Sequence, residues 1–218
     1  MNVVKVFLIS FLFIWGSYAY GQECFKDCPE RLSLMRDSIL RSLKRNYVLK
    51  EKQDSSFSLA FNECKKIEAA LKKCSFPKTY LKTIDGDSIC IDQFKGKPVF
   101  IHFWFTSCSP CIAEIPTINR LETEFKNSAT FLSINTDDLN TLKKFLARKI
   151  FNTQHVIISK ETAAENFCII GGYPTNIILD KNGKVSDIWS GGFEDPNDQE
   201  EFYERVSNGL KSILKIKK

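Results

Sequence analysis

The stretch from Gly96 to Pro116, GKPVFIHFWFTSCSPCIAEIP, decides the fold of this chain. Its first part, Pro98 to Phe105, is a continuous apolar run, as expected of a strand buried on both faces of a sheet. Its second part begins at Cys108-Ser109-Pro110-Cys111, after which apolar residues recur at helical spacing as far as Phe125. The stretch therefore predicts a buried strand that leads directly into a helix, with two cysteines at the junction.

The position of the two cysteines gives them a specific chemistry. The free amides and the dipole of a helix N-terminus stabilise an anion, so we expect Cys108 to ionise more readily than an ordinary thiol. Pro110 starts the helix at little cost, because its missing N–H would lack a helical partner anyway. Cys111 lies one turn inside the helix, within reach of a mixed disulfide on Cys108. We predict thiol-disulfide exchange, with Cys108 as the attacking thiol and Cys111 as the resolving thiol.

Metal binding is the alternative use of such a pair. A zinc site needs four ligands, and no second C-x-x-C or nearby Cys/His pair completes one here. Carriage of Cu(I) by the two thiols with His102 or His155 remains an alternative, since soft thiolates suit Cu(I).

Residues 76–218 alternate between strand and helix patterns, which predicts an α/β domain. Besides the central stretch, the predicted strands are two short ones joined by the Asp85-Gly86 turn, then Ala129 to Asn135, His155 to Ser159, Thr175 to Leu179 and Lys184 to Ser190. The last two form a hairpin through Asn182-Gly183. The remaining helices are predicted at Leu139 to Phe151, at Ala163 to Phe167, and along the apolar face of Phe202, Val206, Leu210 and Ile213.

Residues 22–75 predict a small helical hairpin with four cysteines, Cys24, Cys28, Cys64 and Cys74. In one continuous helix Cys64 and Cys74 would lie about 15 Å apart, too far for a disulfide. We therefore predict nested structural disulfides, Cys24 to Cys74 and Cys28 to Cys64, which would staple a hairpin too small for a core of its own. A second redox relay is the alternative.

Two further cysteines, Cys90 and Cys168, have apolar neighbours in the sequence. This pattern predicts buried thiols.

The N-terminus predicts export. Lys5 precedes an apolar run from Val6 to Trp15, and residues 1–21 have the layout of a signal peptide cleaved before Gln22. An uncleaved anchor is the alternative. Eight cysteines suit an oxidising compartment, and the formal charge of +5 gives no support to nucleic-acid binding. We expect a periplasmic or cell-envelope protein that is soluble after cleavage.

Three motifs in order now indicate a family: the stretch at residues 96–116, GGYPT at 171–175 and IILDKNGKV at 177–185. Together they resemble the TlpA/ResA family of thioredoxin-like thiol-disulfide reductases of the bacterial cell envelope. The resemblance covers about residues 76–218. It implies a thioredoxin-like fold, a central mixed sheet flanked by helices, here preceded by the hairpin.

The same resemblance implies an envelope thiol-disulfide oxidoreductase that reduces protein disulfides, with a membrane-side electron donor. Its redox centre would be the disulfide Cys108–Cys111, with no other cofactor and no metal. Peroxiredoxins share the fold, but their T-x-x-C signature is absent around Thr106 and Cys108, so a thiol peroxidase is the weaker alternative. The hairpin lies outside the resemblance and is a candidate surface for docking or dimerisation.

Further site residues are implied by the same family. A cis bond between Tyr173 and Pro174 would lie opposite the thiols, with the Tyr173 backbone offered to a substrate strand. Glu114 occupies the position of a glutamate that tunes the thiols; its alternative role is to complement the helix dipole.

Three positions carry weaker expectations. His102 stands where thioredoxin keeps a buried acidic residue, so it is either a proton acceptor or an ordinary core residue. Trp104 matches a family aromatic and belongs either to the substrate surface or to the core. Ser107 departs from the family, since many relatives carry tryptophan there.

Overall fold

The structure, a computed structural model, describes Phe25, residues 54–192 and residues 195–216. The predicted signal peptide, most of the first hairpin helix, Cys24 and Cys28 lie outside the described residues. None of the described helices is long and apolar enough to cross a membrane.

A mixed seven-stranded sheet forms the centre of the domain, in the order β2-β1-β5-β4-β3-β6-β7. Strands β3, β4 and β5 are parallel to one another, whereas β1, β2, β6 and β7 pair antiparallel. The strands are β1 (Tyr80–Thr83), β2 (Ser88–Cys90), β3 (Val99–Trp104), β4 (Thr130–Asn135), β5 (Gln154–Ile157), β6 (Thr175–Leu179) and β7 (Val185–Ser190). The predicted central mixed sheet is confirmed.

Within residues 54–192 and 195–216, five α-helices cover the two faces of this sheet. They are α1 (Asp54–Leu71), α2 (Ser109–Phe125), α3 (Leu139–Leu146), α4 (Lys160–Phe167) and α5 (Pro196–Leu214), and a short 3-10 helix follows β2 at Ile91–Phe94. Apolar residues of α2, α3 and α5 form one buried cluster, and those of α1 and α4 form the other. Cys108 and Cys111 belong to the first cluster, on the face of the sheet that α2, α3 and α5 cover.

Strand β3 shows why the two faces differ. Every residue from Val99 to Trp104 is buried, as the continuous apolar run predicts. Because side chains alternate along a strand, Ile101 and Phe103 join the α1/α4 cluster, while Phe100 and Trp104 join the α2 cluster. His102 therefore points towards α2.

One predicted helix is shorter than its pattern suggested. The helix α3 ends at Leu146, although apolar spacing extends the prediction to Phe151. Phe151 is nonetheless buried, since it packs on the rings of Trp104 and His155 from the loop before β5. Phe151 is therefore apolar because it is buried in the core, although it does not belong to the helix.

The helix α1 packs on the domain without a break at residue 76. Leu71 is fully buried in the core cluster that also contains Phe76 and Phe103. Beyond the helix, Lys73 N donates to Val185 O at 2.7 Å, and Val185 N donates to Cys74 O at 2.9 Å. The segment before residue 76 thus shares core and backbone hydrogen bonds with the domain.

The cysteines correct three expectations. Cys64 is a buried thiol whose Sγ donates to Ile170 O at 3.9 Å, so the predicted pair Cys28–Cys64 is wrong. Cys168, predicted to be a buried thiol, is disulfide-bonded, as is Cys74. Cys90 is a thiol but only half-buried.

Cys168 ends α4 in a left-handed conformation (φ 54°) and is buried in the core cluster that also contains Cys74. Sequence spacing does not reveal such a position. Cys24 lies outside the described residues, so its pairing with Cys74 stays a prediction.

The packing of α5 on β6 predicts a coupled pair of substitutions. A methyl group on Gly209 would lie 2.7 Å from Ile178 Cδ1, closer than van der Waals contact. We expect Gly209→Ala to lower the free energy of unfolding by about 1 to 3 kcal/mol despite its better helix propensity. Ile178→Val removes the clashing atom. The free energy of unfolding of the double variant should therefore exceed the value expected from adding the two single effects by at least about 0.5 kcal/mol.

Urea unfolding of the four proteins measures this coupling directly. Strict additivity would show that α5 does not pack on β6 at this distance.

Candidate active site

The redox pair lies where β3 ends and α2 begins. Cys108 is the N-cap residue of α2, and its Sγ accepts a hydrogen bond from Cys111 N at 3.3 Å. Cys108 and Cys111 form a disulfide with their Cα atoms 5.2 Å apart. Cys108 is 5% exposed and Cys111 is fully buried, so solvent and substrates reach the pair through Cys108.

The loop that leads into the pair is held from a neighbouring strand. Thr106 N donates to Asp137 Oδ2 at 2.6 Å, and Asp137 follows the end of β4. Cys108 N donates to Phe105 O at 3.1 Å. These bonds fix the backbone between β3 and α2, so that Cys108 meets the amides of the first helical turn.

The segment Tyr173-Pro174 borders the disulfide from the opposite side. Its peptide bond is cis, as the family resemblance implies. The Tyr173 ring packs edge-on against Phe105 at a centroid distance of 5.4 Å. Burial raises the pKa of Tyr173, which keeps its hydroxyl neutral at physiological pH.

A glycine after β7 completes this side of the site. A methyl group on Gly192 would lie 2.5 Å from Pro110 Cβ and 2.9 Å from Pro174 Cδ. Only glycine therefore lets the α2 N-terminus, the cis-proline segment and the β7 loop converge.

Behind the disulfide lies a buried polar cluster of Glu114, Asn176 and His102, all with no exposed surface. Asn176 Nδ2 donates to Glu114 Oε2 at 3.2 Å, while Asn176 Oδ1 lies 2.8 Å from His102 Nδ1. His102 Nδ1 is also 3.6 Å from Glu114 Oε2. Glu114 stands one helical turn beyond Cys111, so this cluster is the polar environment of the resolving thiol.

The hydrogen bonds assign the tautomer of His102. Because Asn176 Oδ1 can only accept, the proton of the neutral imidazole is on Nδ1. Burial lowers the pKa of His102 to about 4, against a smaller opposing effect of the bond to Asn176. His102 is therefore neutral at physiological pH, and its Nδ1–H donates to Asn176 Oδ1.

Trp104 has no exposed surface and packs on Phe145, Phe151 and His155, so its predicted contact with substrate is wrong. It is the last residue of β3 and points into the α2 layer, whereas Phe105 lies beside Tyr173.

The histidines do not meet the cysteines in a metal-like cluster. Nε2 of His155 lies 2.9 Å from Phe151 O, and burial lowers the pKa of His155 as well. Among residues 54–192 and 195–216, no three His, Cys, Asp or Glu side chains are arranged to hold a metal ion.

Sequence reasoning missed three residues of the site: Asp137, Asn176 and Gly192. The position of Asn176 could have been predicted, because side chains alternate along a strand and the residue after Thr175 must face the opposite side of the sheet. The positions of Asp137 and Gly192 follow from loops whose paths no sequence pattern fixes.

Known proteins match this chain in the same region. A family model described as the AhpC/TSA family matches residues 73–188. The thiol-disulfide oxidoreductase ResA of Geobacillus thermodenitrificans is 30% identical over 116 residues, which cover 53% of this chain and 67% of that protein. The thioredoxin-like protein YneN of Bacillus subtilis is 30% identical over 118 residues, covering 53% of this chain and 69% of YneN.

Solved structures agree with these relatives. The thioredoxin domain of a thiol-disulfide oxidoreductase from Bacteroides vulgatus superposes with a TM-score of 0.54 at 26% identity, over 64% of this chain and 97% of that domain. A thiol:disulfide interchange protein of the thioredoxin family from Chlorobium tepidum gives a TM-score of 0.53 at 25% identity, over 62% of this chain and 95% of that protein.

These matches confirm both the thioredoxin-like fold and the resemblance inferred from the three motifs. The chain belongs to the AhpC/TSA family and is a thioredoxin-like thiol-disulfide oxidoreductase.

Proposed function

We propose that this protein is an exported reductase of protein disulfides, with Cys108 as the attacking thiol and Cys111 as the resolving thiol. The observation that carries the proposal is the Cys108–Cys111 disulfide at the start of α2, with Glu114 one turn behind it and cis-Pro174 in front of it. The apolar N-terminal segment and the disulfide-bonded Cys74 and Cys168 support an oxidising envelope compartment.

The reaction transfers two electrons from the reduced pair to a substrate disulfide. The Cys108 thiolate attacks one substrate sulfur, the substrate S–S bond breaks, and the other substrate sulfur leaves as a thiolate that takes up a proton. Cys111 then loses its proton and attacks Cys108 Sγ. The mixed disulfide breaks, the second substrate thiol is released, and the Cys108–Cys111 disulfide forms. A dithiol donor on the membrane side restores the reduced pair by the reverse exchange.

Glu114 is the proton acceptor for Cys111 in this scheme. It is the carboxyl group one turn beyond the resolving thiol, and the site excludes water around it. Asn176 Nδ2 donates to Glu114 Oε2 at 3.2 Å, and His102 holds the Asn176 amide through the bond from its Nδ1–H to Asn176 Oδ1 at 2.8 Å. We assign His102 a supporting role, because its Nδ1 already carries a proton and its opposite nitrogen faces away from this contact.

The substrate chain binds along Tyr173-Pro174 and Phe105. This surface combines an apolar, aromatic platform with a backbone that lies beside the exposed edge of Cys108. An extended polypeptide can add to such a backbone as a further strand, which suits a protein disulfide better than a small oxidant.

The first prediction concerns the two thiols. In Cys111→Ala the mixed disulfide on Cys108 cannot be resolved, so partner proteins should accumulate as covalent adducts visible by non-reducing electrophoresis and mass spectrometry. Cys108→Ala should give none, because the attacking thiol is gone. Cys90→Ala removes a half-buried thiol outside the site and serves as the control.

Adducts that form equally on both single variants would contradict the assignment. Rapid consumption of hydrogen peroxide through Cys108, without reduction of protein disulfides, would instead indicate a thiol peroxidase.

The second prediction concerns Glu114. Glu114→Gln keeps the shape of the side chain but cannot accept the proton of Cys111, so disulfide reduction near neutral pH should slow by about 100-fold and recover as pH rises. Glu122→Gln makes the same change on the same helix outside the cluster and should leave the pH profile unchanged. If Glu114→Gln keeps the wild-type pH profile, Glu114 only complements the helix dipole and does not accept the proton of Cys111.

The third prediction concerns His102, whose pKa of about 4 in the folded protein lies below the unfolded value of about 6.5. As pH falls below 6.5 the unfolded chain takes up this proton first, so folding stability is lost between about pH 6.5 and 4. From pH 7 to pH 5 this one group should cost about 2 kcal/mol. Glu114, Asn176 and the more distant His155 are the groups that face it.

His102→Asn should remove about that much of the pH dependence in urea unfolding. His155 contributes in the same direction, so part of the acid sensitivity should remain. An equal loss of stability in wild type and variant would mean that His102 is not buried in its neutral form.

A further inference from the structure

The helix α1 lies outside the family match at residues 73–188, yet it contacts the segment that precedes cis-Pro174. We name residues 170–174 the substrate loop, because Tyr173 and Pro174 are its last two residues. Ile170 O accepts a hydrogen bond from Cys64 Sγ at 3.9 Å. This contact connects the middle of α1 directly to the start of the loop.

Glu68, one turn further along α1, meets the next residue of the loop. Glu68 is 7% exposed, and its Oε2 forms an ion pair with Lys65 Nζ at 2.9 Å. Its Oε1 is buried and accepts no hydrogen bond from the residues that the structure describes. A methyl group on Gly171 would lie 3.3 Å from this oxygen. The carboxyl group is therefore aimed at the backbone of Gly171.

The other side of the loop is closed by β6 and β7. The same methyl group on Gly171 would lie 2.3 Å from Ser190 Oγ. Ser190 Oγ is 3.0 Å from Thr175 Oγ1, which donates to Gly172 O at 2.7 Å. Gly171 is thus held between Glu68 and Ser190, and Gly172 is held by Thr175.

We propose that Glu68, by packing against Gly171, positions the substrate loop, so that a helix outside the family match sets how well a polypeptide disulfide binds. The proposal rests on the function proposed above, in which Tyr173 and Pro174 contact the substrate. Glu68 does not touch the reacting sulfurs. It is a positioning residue, and its effect should fall on substrate binding and leave the exchange chemistry unchanged.

The test compares Glu68→Ala with Glu68→Gln and with Asn62→Ala, which changes an exposed residue of the same helix. Reduction of insulin disulfides with dithiothreitol as electron donor gives kcat and KM, and 5,5′-dithiobis(2-nitrobenzoate), which needs no polypeptide site, reports the chemistry of the reduced pair. We expect Glu68→Ala to raise KM for insulin at least fivefold, with kcat and the rate with the small disulfide within twofold of wild type. Glu68→Gln, which keeps the volume, and Asn62→Ala should both retain a KM within twofold of wild type.

Gly171→Ala perturbs the same contact from the side of the loop and covers the case in which Glu68→Ala fails to fold. Its new methyl group must displace Ser190, Glu68 or the loop itself, so it should raise KM for insulin in the same way. An unchanged KM in Gly171→Ala and in folded Glu68→Ala would overturn the proposal, as would a KM raised equally by Glu68→Gln. A wild-type protein that reduces neither disulfide would instead refute the proposed function.

Discussion

The chemistry depends on one junction, the point where a strand buried on both faces ends and a helix begins within five residues. Burial of β3 fixes Trp104 in the core, and the bond from Thr106 N to Asp137 holds the loop that follows. Cys108 must then occupy the N-cap of α2, where its sulfur accepts the Cys111 amide. An N–H that would lack a partner in an isolated helix here donates to Cys108 Sγ, where it would stabilise a thiolate in the reduced protein.

The polar cluster behind the disulfide buries a carboxyl group, that of Glu114. A carboxyl group without exposed surface is unfavourable unless it is hydrogen-bonded, and Glu114 Oε2 accepts a hydrogen bond from Asn176, whose amide is held in turn by His102. Asn176 is uncharged, and burial lowers the pKa of His102 and keeps it in its neutral form. Glu114 is therefore bonded to a neutral amide that a neutral imidazole supports, and this is the setting in which we propose that it accepts the proton of Cys111.

The fold and the redox pair could be predicted because local rules determine them. A continuous apolar run gave β3, alternation of strands and helices gave the domain, and the Asn182-Gly183 turn gave the β6–β7 hairpin. The disulfide bonds could not be predicted in this way. Cys168, at the turn that ends α4, is disulfide-bonded and lies in the same core cluster as Cys74, and Cys64 donates to Ile170 O across a sequence separation of 106. Spacing along one chain carries no information about such contacts.

Asn176 and Thr175 show how the two halves of the site are joined. They are consecutive in β6, directly after Pro174, so their side chains must point to opposite faces of the sheet. Asn176 faces α2 and binds Glu114, whereas Thr175 faces Ser190 and Gly172, on the side where α1 packs. The proton chemistry and the substrate loop are therefore supported from different layers but fixed by adjacent residues of one strand. A displacement of β6 along its own axis would disturb both at once, while a change in α1 reaches only the loop. This geometry is what the proposed role of α1 requires, because the helix meets the substrate loop on the face of the sheet opposite to the buried polar cluster.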